Sequence, residues 1–199
     1  MAKPRPVRGV KPGARLAPNA RRILAVRIDE VFEHDRAVRD PAHVTELHDT
    51  RICFKRLRYL LEIFGIAFRA DLEPFLEEVK AMQDLLGDIH DRDVQVPMLE
   101  EHLRWLEDRE ADAMQAVVAG AAARRRRAGP PVDEEAAFRR FRARLDGARR
   151  GDERPGVLAL IARRRRERDE LYARFLVEWE GLHESRFRER LEAAVGIRR

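Results

Sequence analysis

The residues best suited to chemistry lie in one stretch, LHDTRICFKRLRYLLEIFG, residues 47–65. Within it His48, Arg51, Lys55, Arg58 and Glu62 recur at spacings of three, four, three and four. On an α-helix that rhythm keeps one direction, so these side chains form a stripe ~21 Å long at about 1.5 Å per residue. Guanidinium forks grip phosphate oxygens through paired hydrogen bonds, and an ammonium adds a point charge. The stripe is therefore suited to holding a polyanion. Cations one and two turns from His48 disfavour its protonation while the stripe is empty, and a bound anion would favour it.

Apolar residues flank the stripe on both sides. Leu47, Phe54, Leu57, Leu61 and Phe64 make one face; Ile52, Tyr59, Ile63 and Ile66 make a second, which reads Tyr59 as core. Asp49 and Arg56 lie opposite the stripe and mark the solvent side. Crowded cations beside a core are costly unless paired. Either Glu62 and acids from residues 71–120 pair with them, or the stripe lines a groove that an anion fills.

Elsewhere the sequence offers little for catalysis. His90, Asp91, Asp93 and His102 could ligate a divalent ion, but acids beginning a new helix near Asp91 would serve its dipole equally. Gln83 and Asp84 read as organising the helix that bears them. Ser185 is the sole serine and sits in no glycine elbow, Cys53 is the sole cysteine and reads as a small core residue, and no glycine-rich phosphate loop occurs. The expectation is a non-catalytic protein without metal or cofactor.

The elements that position the stripe are read as helices throughout. After a Pro-, Gly- and base-rich segment, residues 1–19, expected to be a disordered arm, Asn19 is a candidate N-cap. Helices are predicted from Asn19 to Pro41, over 42–68, 71–87, 91–126 with a bend at Pro97, 133–149, 157–182 and 184–194. Breaks are expected at 124–135 and 150–156. No strand-like alternation occurs, so the fold class is all-α, a helical bundle of six to seven helices with a basic groove or channel, formed by a single domain over residues 20–199.

The composition agrees. All but four of the 41 basic residues among 199 are arginine, and charged residues make up 39%, so a core can form beneath strongly charged faces. The charge is segregated: residues 1–70 carry +7, 71–120 carry −10 and 121–199 carry +8, which concentrates positive potential at both ends. No apolar run is long enough to span a membrane, no signal peptide is apparent, and one cysteine excludes a disulfide framework. A cytoplasmic protein is expected.

The pattern His48-Asp49-x-Arg51-x-x-x-Lys55-Arg56-Leu57-Arg58-Tyr59-x-x-Glu62 resembles the signature helix of the CHAD family, the conserved-histidine α-helical domain. MQDLLGDIHDRDV (82–94) and RRRRERDELYARFLVEW (163–179) resemble two further family segments. The resemblance implies an all-helical bundle that binds inorganic polyphosphate along a basic channel, with His48, Arg51, Lys55 and Arg58 on the phosphates. Longer members carry two such helices and this chain carries one. The opposite wall would then come from Arg164, Arg165 and Arg168, from Arg21, Arg22 and Arg27, with Lys80 within reach, or from a second copy. Enzymes that make or degrade polyphosphate are the partners this implies. A nucleic-acid-binding protein, allowed by a pI near 9.9, and a metal-dependent phosphohydrolase are the alternatives.

Overall fold

The computed structural model describes residues 3–129, 133–148 and 152–198. Among them are six α-helices and no strand: α1 (Leu16–Val31), α2 (Val44–Phe64), α3 (Glu73–Ala128), α4 (Glu134–Ala148), α5 (Arg154–Glu184) and α6 (Phe187–Val195). Short 3-10 turns follow α1 and α2 at Ala37–Arg39 and Gly65–Ala67. The all-α expectation holds. The centres of the two expected breaks, 130–132 and 149–151, lie outside the described residues.

Three expected features give way. α3 is continuous for 56 residues, so neither Gly87 nor Pro97 ends it and no new helix starts at Asp91. Leu85, Leu86 and Ile89 are buried on both sides of Gly87, and that burial outweighs the ~1 kcal/mol helix cost of a glycine. Asn19 caps nothing, because α1 starts three residues earlier. Its amide instead donates to the Lys11 carbonyl at 2.8 Å and accepts from the Lys11 N–H at 3.2 Å. The segment read as a disordered arm is also tied at Arg5, whose N–H donates to Glu30 and whose carbonyl accepts from Arg27 at 2.9 Å.

The chain divides into two compact units, one made of residues up to Asp93 and from Arg166 onward, the other of Val94–Arg165. In the first, each helix buries residues three or four apart: Ala20, Leu24, Ile28 and Val31 on α1; Leu47, Thr50, Phe54, Leu57 and Leu61 on α2; Val79, Met82, Leu86 and Ile89 on α3; Tyr172, Phe175, Trp179 and Leu182 on α5; Phe187, Leu191 and Val195 on α6. Trp179 is wholly buried, with Phe32, Phe175 and Phe54 at ring separations of 5.5, 5.7 and 6.2 Å. Its indole N–H donates to Asp35 at 2.7 Å, and with His183 and Arg39 on the same carboxylate Asp35 is held below its ordinary range despite burial. Cys53 is buried here, as expected, and burial raises its thiol to about 11.

α6 ends in a Schellman motif: the Ile197 N–H bonds to the Glu192 carbonyl at 2.8 Å and Gly196 N–H to Ala193 at 3.1 Å. Gly196 has φ +74°, and a Cβ there would lie 3.2 Å from the Arg21 Nε that donates to the Val195 carbonyl. Glycine is thus required by both backbone and space.

In the second unit, Ile161 is the one buried large apolar residue among those described, while Trp105 is 49% exposed with the Arg109 guanidinium 4.5 Å from its ring centre. Arg154 bridges to Glu110 and to Asp152, and Arg165 to Glu100.

Candidate anion-binding site on the second helix

α2 sits in the first unit with Leu47, Thr50, Phe54, Leu57 and Leu61 turned inward. That fixes where its other faces point. The stripe lies along the seam with α3. His48 Nδ1 is 3.2 Å from His90 Nδ1, with ring centres 4.4 Å apart. Three residues on, the Arg51 guanidinium lies against Gly87, where an added Cβ would be 3.7 Å from its Nε. The pairs 48 with 90 and 51 with 87 define an antiparallel register. Farther along, Asp84 of α3 adds to the field at Arg58.

The cations differ in how well they are satisfied. Arg58 donates to Glu62 at 2.9 Å. Arg51 Nε is buried and has no hydrogen-bond partner among the described residues, and Gln83 Oε1 on α3 is in the same position. A buried donor left unmade costs about 1–3 kcal/mol. Lys55 is exposed, carries no carboxylate partner among the described residues, and has its ammonium 6.0 Å from the Tyr59 ring centre. Arg58 is 5.9 Å from the same ring. Protonation of His48 is disfavoured, first by burial and then by His90, against an opposing pull from Asp49, with Arg51 adding a smaller push in the same direction as burial.

The second apolar face did not become core. Tyr59, Ile63 and Ile66 are 46%, 62% and 88% exposed. Arg56, read as solvent-facing, is half-buried and turned to Glu30 at 4.0 Å. One pattern explains both corrections. The helix has a single buried face, and α1 contributes a buried Glu30 that draws Arg56 and Arg27 inward.

The remaining candidates separate cleanly. Lys80, on α3, is exposed. Arg168, on α5, is engaged by Asp93 at 3.0 Å and the Pro41 carbonyl at 2.7 Å, and lies 5.2 Å from the Tyr172 ring. Arg27 is buried, pairs with Glu30 and donates to the Arg5 carbonyl, which turns it away from an outside anion. Arg22 is exposed and donates to the Pro18 carbonyl at 3.1 Å. Arg164 and Arg165 belong to the second unit, Arg165 on Glu100 and Arg164 also with an interaction of its own. Among the described residues no group of three or more His, Cys, Asp or Glu is placed to hold a metal. His90 meets His48, Asp93 meets Arg168 and His102 stacks on Trp105.

His90 is the residue the sequence reading misplaced, as a cap or a metal ligand. Its spacing from the Gln-Asp-Leu-Leu-Gly segment was the available signal. A helix unbroken through Gly87 puts residues 83, 87 and 90 on one face, so Gln83, Gly87 and His90 meet α2 together.

Residues 2–100 match the family model described as the CHAD domain. No curated protein and no solved structure matches the chain.

Proposed function

The chain belongs to the CHAD domain family through residues 2–100, and on that premise we propose that it binds inorganic polyphosphate along α2 without transforming it. The observation that carries the reading is Arg51: a guanidinium on the α2–α3 seam whose buried Nε has no acceptor among the described residues. Lys55 beside it is exposed and has no carboxylate partner among the described residues. Phosphate oxygens supply what both need, bidentate acceptance for the guanidinium and charge for the ammonium. His48 and Arg58 extend the row in both directions, and Lys80 can add to it. Partners that make or degrade polyphosphate fit the same reading, as does residence in the cytoplasm; no described helix is long and apolar enough to cross a membrane.

Calorimetric titration of the full chain with long-chain polyphosphate tests the proposal, beside an Arg51→Ala/Lys55→Ala/Arg58→Ala variant. The expected result is binding by the wild type and loss of at least about 100-fold in the folded variant, roughly 1 kcal/mol per lost contact. Absence of binding by the wild type would overturn it.

One observation favours a second ligand class. Tyr59 is exposed with two cations near its ring, and an aromatic among cations is what single-stranded nucleic acid stacks upon. Competition between polyphosphate and an oligonucleotide at matched salt separates the two. Displacement of polyphosphate by the oligonucleotide at comparable concentration, lost in Tyr59→Leu, would favour nucleic acid.

A further inference from the structure

The contact between His48 and His90 limits how many protons the two imidazoles can hold. Their Nδ1 atoms face each other at 3.2 Å. At that distance one Nδ1 must carry the hydrogen and the other the lone pair. The contact survives with both rings neutral, and it survives one added proton, which leaves a charged N–H pointing at a neutral nitrogen. It does not survive two, because both facing nitrogens would then be donors.

We propose that His48 and His90 act as one proton-accepting unit, which takes up a single proton when a polyanion fills the α2 stripe, with His90 as the positioning residue that holds the His48 ring. The inference rests on the polyphosphate reading above and adds a residue and a proton to it.

The surroundings favour this sequence of events. On α2, Arg51 lies one turn away and opposes a charge on His48, while Asp49 next to it favours one. On α3, Asp93 lies one turn from His90, but it is bound by Arg168 from α5. Asp91, next to His90, is exposed, so solvent screens its pull on the pair. The empty site therefore disfavours a proton on His48. A phosphate chain along Arg51 and Lys55 reverses the local field, and the Coulomb penalty on a third cation becomes a gain. With its Nδ1 held by His90, a protonated His48 has its Nε2–H left as a donor for phosphate. The sign follows from linkage. A group whose proton affinity is higher in the complex than in the free protein makes binding tighter as pH falls, by at most about tenfold per pH unit for one proton.

The test is calorimetry of the full chain with long-chain polyphosphate at neutral pH, in buffers of differing ionisation enthalpy. Long chains keep the titratable terminal phosphates few. The wild type should take up a measurable fraction of one proton and never more than one. His90→Asn keeps an amide near the Nδ1 position but accepts no proton; it should still bind, with proton uptake reduced and affinity rising less steeply on acidification. His90→Phe, checked for fold by circular dichroism, should lose uptake as well. Binding without proton uptake, or uptake unchanged in His90→Asn, would overturn the coupling and leave polyphosphate binding standing. Failure of the wild type to bind would overturn both.

Discussion

Arg168 on α5 donates to Asp93 and to the Pro41 carbonyl, and Arg165 on the same helix reaches Glu100. On α2, among the described residues, Arg51 keeps a buried Nε without an acceptor and Lys55 stands exposed without a carboxylate. In the sequence both helices show cations at helical spacing. The difference lies in what faces them. α3 brings Asp93 and Glu100 to the α5 arginines, and brings Gly87, Gln83 and His90 to the seam with α2. A row of arginines is thus a structural tie where the opposing helix is acidic, and an open site where it is small or neutral.

The contrast can be broken by substitutions on either side of it. The largest expected effect on stability is at Arg168. Arg168→Ala leaves Asp93, whose side chain is 12% exposed, and a backbone carbonyl without their donor, which should lower stability by about 1–3 kcal/mol in urea unfolding. If Arg168→Ala instead leaves stability intact and removes polyphosphate binding, α5 is a ligand wall and the contrast fails.

A smaller effect is expected from pH at His48. Its folded-state proton affinity lies below the ordinary 6.5, so the unfolded chain binds that proton more readily. Stability is unaffected well above pH 6.5 and is lost as pH falls below it. Urea midpoints at pH 7.5 and 5.5 should show a smaller acid loss in His48→Gln than in the wild type, with polyphosphate offsetting the loss in the wild type. The smallest effect is at Arg165, whose side chain is 63% exposed: Arg165→Ala should change stability by less than about 0.5 kcal/mol. A larger loss would show that exposed ion pairs support the second unit more than their solvation suggests.

Much of this was legible in the amino-acid order. The three–four rhythm of His48, Arg51, Lys55 and Arg58 put them on one face, and the buried set Leu47, Phe54, Leu57 and Leu61 followed from the same periodicity. What was not legible depended on neighbours distant in sequence. Nothing local says that Tyr59, Ile63 and Ile66 go uncovered, since that depends on which helix faces do not meet α2. Nothing local sends Arg56 inward, because Glu30 of α1 does that. Gly87 and Pro97 are strong breakers by propensity; α3 passes through Gly87 because the flanking Leu85, Leu86 and Ile89 are buried, and nothing in the burial around Pro97 explains its passage there. The Arg27–Glu30 pair was within reach, being three residues apart on one helix, and its burial is what removes Arg27 from the candidate site.

The contacts at Arg5 bear on how this domain should be cut for expression. A boundary drawn at Leu16, where the first helix starts, would delete the carbonyl that accepts from Arg27 and the N–H that donates to Glu30. Both side chains are buried, so the shortened protein would keep an inward charge cluster with part of its solvation stripped away. The working start of this domain lies ahead of its first helix, and the segment before it serves as a lid on a buried ion pair.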